Sequence, residues 1–361
     1  MKFNLKKVAL LLVMALLVGC GTKNTKDAKD TSNAQTESKL EVYASVYPVY
    51  DFAKKIGGDK VEVKNIVPIG MEPHDFEPSQ ADIKNLENAK VFVYNGAGLE
   101  SWTDKVIESL DNKDIIVIEA SHGVDLISGH SHEHEHHHDA ADANHDHEEN
   151  GEHNHEANGE HNHENHNHNE AAENHNEHED HDHHHHHGAY DPHTWLSPKN
   201  AIIELKNIAE GLIKADPENE AYYKENLEKY TKEFEELDKL YSEEISKLPN
   251  KAIVVSHEAF GYICRDYGLT QMGIQGVEAH SEPTPAKMAE IVKFVKENNV
   301  NTIFTEELID PKVAEVIAKE TGAQTRVLNP IEGLSQEELD NGDEYVSVMK
   351  ANLQNLIEAL K

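Results

Sequence analysis

Three isolated histidines and one glutamate have the residue types and positions that zinc chemistry requires. His74 lies in GMEPHDFEPS, His193 in YDPHTWLSP and His257 in VVSHEAFGY, each near Pro, Trp or Phe. Glu306, in NTIFTEE, follows another short apolar run. Three imidazoles and one carboxylate are a ligand set typical of tetrahedral zinc. The competing interpretation is that each histidine is an ordinary surface or hydrogen-bonded side chain.

The elements around these residues could bring them together. The apolar runs VEVKNIVP, KAIVVS and NTIFT read as strands that precede His74, His257 and Glu306, while His193 stands at a turn entering a helix. Strands alternate with segments of helical period along the chain, which predicts mostly parallel sheets. Because ligands gather at the carboxyl ends of parallel strands, we predict that the four side chains meet at one cation.

The same alternation predicts an α/β fold of two lobes, each with a mostly parallel sheet and flanking helices. We assign residues 39–215 to the first lobe and 249–361 to the second. Residues 216–248 read as one long linker helix, since apolar residues there recur at spacings of three and four. A coiled-coil oligomer is the alternative for this helix, but we favour a monomer in which it joins the lobes across a cleft that holds the metal.

A histidine-dense insert interrupts the first lobe. Of the 27 histidines, 22 lie in residues 130–187, a segment that contains no Ile, Leu, Val, Phe or Tyr. It cannot bury apolar surface, so we predict disorder and weak binding of several zinc ions, as a collector or sensor. The alternative is a tolerated low-complexity insertion. Candidate low-affinity ligands are His130, His132, His134, His136, His183, His185 and His187.

The N-terminus predicts export and lipidation. Residues 1–20 carry lysines, an apolar run and then Gly19-Cys20, which indicates a lipoprotein signal peptide with Cys20 as the lipidated residue. An ordinary signal peptide is the alternative. Residues 21–38 read as a flexible tether. We therefore expect a protein anchored to the cell membrane on its extracytoplasmic face.

The charge balance excludes one class of partner. The formal net charge is −35, and residues 130–187 contain 17 acids with no Lys or Arg. Such a surface repels nucleic acid and attracts cations. Cys264 lies between apolar residues in GYICRDYG, which favours a buried core position over a nucleophile.

Taken in order, GMEPHDFEPS, YDPHTWLSP, VVSHEAFGY and FTEE resemble the metal-binding lipoproteins of zinc and manganese ABC transporters, the cluster A-I solute-binding proteins. The resemblance runs from Lys39 to Lys361. It implies two α/β lobes joined by one long helix, a metal in the cleft and delivery to an ABC permease. It also implies ligands at His74, His193 and His257, and His-rich loops are a feature of the zinc members.

The third histidine motif indicates which metal is bound. Manganese members of the family carry a carboxylate where this sequence has His257, and imidazole suits Zn²⁺ better than Mn²⁺. We predict zinc, with a manganese-specific member as the alternative. For the fourth ligand we favour Glu306 over Asp310 and Glu72. Asp191 is a candidate hydrogen-bond acceptor for a ligating histidine.

A secreted zinc-dependent hydrolase is the competing function, with Glu306 acting as a general base. Outside the His-rich residues 130–187 the sequence contains no HExxH motif, and a lipid tether suits uptake better, so we predict a binding protein and not an enzyme. Glu278 and His280, in GVEAHSEPTP, could form a weak second site, although we favour ordinary polar loop residues.

Overall fold

A computed structural model of the protein describes residues 39–128, 190–277 and 282–361. The predictions for the signal peptide, Cys20, the tether and the histidines of residues 130–187 lie outside these ranges. Those for Glu278 and His280 also lie outside them.

The first lobe is built on a sheet of four parallel strands. They are β1 (Leu40–Ala44), β2 (Val61–Asn65), β3 (Val91–Tyr94) and β4 (Ile116–Glu119). Their order across the sheet is β2-β1-β3-β4. In register, Val42 of β1 lies opposite Val63 of β2 and Val91 of β3. All four strands run the same way, so their carboxyl ends share one edge.

Four helices cover this sheet. They are α1 (Tyr47–Gly57), α2 (Gln80–Glu87), α3 (Thr103–Ser109) and α4 (Pro198–Ala215). Local sequence explains where two of them begin. Ser79 and Asp82 form a capping box at the start of α2, and Pro198 occupies the first turn of α4, where a missing N–H costs nothing.

The long helix α5 (Glu220–Ser246) follows a short 3₁₀ turn. It falls inside the predicted range of residues 216–248, and its 27 residues make a rod of about 40 Å. Its buried side chains reach both lobes. Phe234 packs edge-on against Phe52 of α1, with ring centroids 5.5 Å apart. The Tyr241 hydroxyl donates a hydrogen bond to the carbonyl of Met349 near the C-terminus, at 2.6 Å.

The second lobe repeats the strand order of the first. Its parallel strands are β5 (Ala252–Val255), β6 (Thr270–Gly273), β7 (Thr302–Thr305) and β8 (Gln324–Val327), in the order β6-β5-β7-β8. Its helices are α6 (Gly261–Tyr267), α7 (Pro285–Glu297), α8 (Lys312–Thr321), α9 (Gln336–Asn341) and α10 (Tyr345–Leu360). The predicted fold class, two α/β lobes with parallel sheets, is confirmed.

Burial accounts for two further features. Cys264 lies in α6 with 8% of its surface exposed, and this burial raises the pKa of its thiol, so the side chain behaves as core. Helix α9 is a short element that the sequence pattern did not predict, because it has no buried residue of its own.

Within the described ranges, no helix has the length and apolar character needed to cross a bilayer.

Candidate metal centre

Four side chains converge at one point between the sheets. Nε2 of His193 lies 3.2 Å from Nε2 of His74 and 3.2 Å from Nε2 of His257. Oε1 of Glu332 lies 2.8 Å from the His193 nitrogen, 3.0 Å from that of His74 and 3.4 Å from that of His257. All four side chains are at most 4% exposed.

These separations fit a tetrahedral zinc site. Ligand atoms at about 2.0–2.1 Å from zinc, in tetrahedral directions, lie about 3.3 Å from one another. The five distances given above span 2.8–3.4 Å, and all four atoms lie within 4.8 Å of one another. The four atoms therefore need little movement to surround one ion.

His193 is held by a tight turn at the start of the α4 segment. One oxygen of Asp191 accepts hydrogen bonds from the His193 backbone N–H at 3.0 Å and from Nδ1 at 2.8 Å. The indole N–H of Trp195, two residues after His193, donates a hydrogen bond to the carbonyl of Pro330 at 2.8 Å. Asp191 thus fixes the ring with Nε2 facing the other ligands, as expected of a carboxylate that orients a metal-bound histidine.

His257 follows the carboxyl end of β5 by two residues and is oriented in the same manner. Both oxygens of Glu306 lie 2.9 Å from its Nδ1. Glu306 directly follows β7, which is the neighbour of β5 in the sheet. Adjacent parallel strands therefore place the carboxylate beside the ring nitrogen that points away from the cluster.

His74 lies in the loop between β2 and α2. Its backbone N–H donates to Oε1 of Glu72 at 3.2 Å. Phe76, two residues later, is buried and packs against Trp102, with ring centroids 6.3 Å apart. This apolar contact holds the loop against the first lobe and directs His74 toward the second.

Glu332 follows the carboxyl end of β8 by five residues, on a loop with an unusual backbone. Ile331 has φ of +59°, a left-handed conformation that a β-branched residue rarely adopts. Its N–H donates to the side-chain oxygen of Asn329 at 2.7 Å. Asn352 of α10 bonds to both the N–H and the carbonyl of Asn329. These contacts hold the strained turn that aims Glu332 at the histidines.

The structure brings together the three predicted histidines, and the carboxylate beside their Nε2 atoms is that of Glu332, not that of the predicted Glu306. Glu306 contacts the outer nitrogen of His257, and the alternative Asp310 is exposed and paired with Lys312. The alternative Glu72 contacts the His74 backbone. Glu332, in LNPIEGL, follows the end of β8 by five residues, whereas Glu306 directly follows β7. The sequence argument favoured Glu306 because it stands closer to the end of its strand.

Electrostatics couples the four groups. Burial disfavours a charged imidazole, but hydrogen bonds to Asp191 and Glu332 outweigh it and raise the pKa of His193 above 6.5. The charges of Glu306 and Glu332 likewise overcome burial and hold the pKa of His257 well above that value. The same histidines keep the pKa of Glu332 well below 4.5 despite its burial. Without metal, the cluster retains protons that a cation must displace.

Comparison with known sequences places the chain in a family. The family model described as zinc-uptake complex component A, periplasmic (ZnuA), matches residues 42–166 and 149–359. The high-affinity zinc uptake system protein ZnuA of Bacillus subtilis (strain 168) is 37% identical over 359 residues, which is 98% of each chain. The zinc-binding lipoprotein AdcA of Streptococcus pneumoniae (strain R6) is 32% identical, and the present chain spans 60% of its length.

Solved structures of proteins similar to this chain lead to the same family. The Zn(II)-bound ZnuA-like domain of Streptococcus pneumoniae AdcA superposes with a TM-score of 0.67 at 30% identity, covering 90% of this chain and 99% of that domain. The metal-dependent lipoprotein YcdH of Bacillus subtilis gives a TM-score of 0.67 at 35% identity, covering 89% and 99%. The chain therefore belongs to the ZnuA family of zinc-uptake components.

Proposed function

We propose that the protein captures one zinc ion with high affinity outside the cytoplasm and delivers it to an ABC permease. The observation that carries this proposal is the buried set of three Nε2 atoms and one carboxylate oxygen at tetrahedral spacing. The zinc-uptake names of the relatives support the transport role.

His74, His193, His257 and Glu332 are the proposed ligands. Glu306 and Asp191 are proposed to accept hydrogen bonds from Nδ1 of His257 and His193, which leaves each Nε2 lone pair free for the metal. Three imidazoles suit zinc better than manganese, which prefers oxygen ligands. This ligand set therefore supports zinc over a manganese-specific role.

The donor set also favours binding over hydrolysis. A catalytic zinc keeps three protein ligands and an open position for water. Here a fourth protein oxygen is within 3.4 Å of all three histidine nitrogens, and the group is almost fully buried. Such a site releases its ion when the protein moves and offers no position for a substrate.

The proposal also covers the membrane anchor, the His-rich residues 130–187 and the long helix α5. Cys20 is proposed to carry the lipid that anchors a monomer to the membrane, as the name of the Streptococcus pneumoniae relative, a zinc-binding lipoprotein, supports. The histidines of residues 130–187 are proposed to collect zinc weakly near the membrane surface. Helix α5, packed on both lobes, would limit how far they separate during release.

Deleting residues 130–187 tests which histidines form the tight site. We expect the truncated protein to bind one zinc ion tightly, because all four proposed ligands and both orienting carboxylates remain. Calorimetric titration of the metal-free protein should show a single tight step, and the full-length protein should add only weak sites. A truncated protein without any tight step would assign high affinity to the deleted histidines and refute the proposed ligand set.

Zinc binding should also release protons. The pKa values of His193 and His257 lie above 6.5 in the metal-free protein, and a ligating imidazole must give up its proton at Nε2. Affinity should therefore weaken as pH falls through these raised values, beginning above pH 6.5. Calorimetry in buffers of different ionisation enthalpy measures the protons released. An affinity that is constant between neutral pH and 6.5 would contradict this expectation.

A further inference from the structure

A fully buried carboxyl group lies beneath the turn that carries His193. Glu204 of α4 is 0% exposed, and in the part of the chain that the structure describes neither of its oxygens has a hydrogen-bond partner. It belongs neither to the proposed ligands nor to the carboxylates that contact them. An unpaired carboxylate in such surroundings is costly, so the residue requires a physical explanation.

The neighbours of Glu204 lead to His193. Thr194 is the side chain that interacts with its carboxyl group, although the geometry falls short of a full hydrogen bond. The Thr194 hydroxyl donates to the side-chain oxygen of Asn95 at 3.3 Å. The amide nitrogen of Asn95 donates to the carbonyl of Pro192 at 2.9 Å. The series therefore ends on the residue that immediately precedes His193.

Among the described residues, no cation offsets a negative charge at this position. The titratable groups that interact electrostatically with Glu204 are Glu100, which lies after β3, Tyr262 of α6 and Tyr345 of α10. Burial, with the charge of Glu100, outweighs the contact with Thr194, which lowers the pKa, and raises the pKa of Glu204 from 4.5 to about 7. The neutral acid is therefore the form that the surroundings stabilise.

We propose that Glu204 is a positioning residue that acts as a neutral carboxylic acid, donating to the Thr194 hydroxyl and thereby holding the turn that carries His193. The role in zinc affinity rests on the proposed function. The Thr194 hydroxyl already donates its proton to Asn95, so it can only accept a hydrogen bond from Glu204. A neutral carboxylic acid has the O–H that donates this bond, and a carboxylate does not. Groups that hydrogen-bond a metal ligand directly typically contribute about 10–100-fold to affinity, and Glu204 acts at a further remove, through Thr194 and Asn95.

Two substitutions test this role by zinc titration below pH 7, where Glu204 is mostly neutral because its pKa is about 7. Glu204→Leu removes the donor and should weaken affinity several-fold, less than the loss of about 10-fold at the lower end for a group that bonds a ligand directly. Glu204→Gln keeps an N–H donor and should leave affinity unchanged. Glu210→Gln, on the exposed side of the same helix, is the matched control and should also leave it unchanged. An unchanged Glu204→Leu, or a Glu204→Gln as weak as Glu204→Leu, would overturn the proposal.

The protonation state can be measured without metal. Because the folded pKa is raised, the stabilisation by neutral Glu204 is complete below pH 4.5 and is lost as pH rises through about 7. The melting temperature of the wild-type protein should therefore fall relative to Glu204→Gln across this window. Infrared spectra below pH 7 should show a protonated carboxyl band that the variant lacks.

The outcomes separate the two proposals. A wild-type protein that binds no zinc tightly would refute the proposed function. A melting-temperature difference that is flat with pH, together with the absence of the protonated carboxyl band, would refute a neutral Glu204 even if zinc binds as proposed.

Discussion

Glu332→Gln should weaken zinc binding by more than about 100-fold, whereas Glu306→Gln should weaken it by about 10–100-fold, the range typical of a partner that orients a ligand. Glu332 supplies the charged oxygen that lies within 3.4 Å of all three histidine nitrogens. Glu306 acts through Nδ1 of His257. Competition with a chelator of known affinity measures both losses on one scale.

Asp310→Asn is the matched control, since this carboxylate is exposed and paired with Lys312 outside the cluster. It should bind zinc as the wild type does. The reverse ranking, with Glu306→Gln the more damaging, would restore Glu306 as the fourth ligand and leave Glu332 as its support.

His257→Ala should abolish the stabilisation that zinc gives to the folded protein. In the wild type, zinc at 100 times its dissociation constant should add about 2.7 kcal/mol to the free energy of unfolding. The ligands come from both lobes, so the ion holds them together in the folded state only. Scanning calorimetry with and without zinc should show a rise in melting temperature of several degrees for the wild type and none for the variant.

His257→Ala also removes the imidazole donor of buried Glu306 and leaves it only the backbone N–H of residue 257, which should cost the metal-free protein about 1–3 kcal/mol. His257→Gln keeps a donor for Glu306 and separates this loss from the loss of metal binding. His122→Ala, at an exposed histidine, should behave as the wild type. A zinc-dependent rise in melting temperature that survived in both His257 variants would show that the tight site lies elsewhere.

Much of the fold could be predicted from local patterns. Parallel strands such as β5, AIVV, are buried apolar runs, and α5 carries apolar residues at helical spacing. The short α9 could not be predicted in this way, because its six residues contain no buried side chain and its start depends on a capping box between Ser335 and Glu338.

The site was predictable to the extent that strand ends are predictable. The rule that ligands gather at the carboxyl ends of parallel strands identified His257 and Glu306 as neighbours. It could not decide which of their atoms faces the metal. That choice depends on the β5–β7 pairing and on the left-handed backbone at Ile331, neither of which is visible in residue order. Tertiary geometry alone distinguishes Glu332 from Glu306.

The spacing of the ligands along the chain has a consequence for when the protein can acquire its cargo. His74 and His193 are 119 residues apart, and His74 and Glu332 are 258 apart. No short peptide of this sequence contains two of them, so an incomplete or unfolded polypeptide has no pre-arranged set of these donors, and gathering them carries the entropic cost of closing long loops. Tight capture at this site therefore requires the folded protein, and a chain that has not yet folded cannot carry zinc in this pocket.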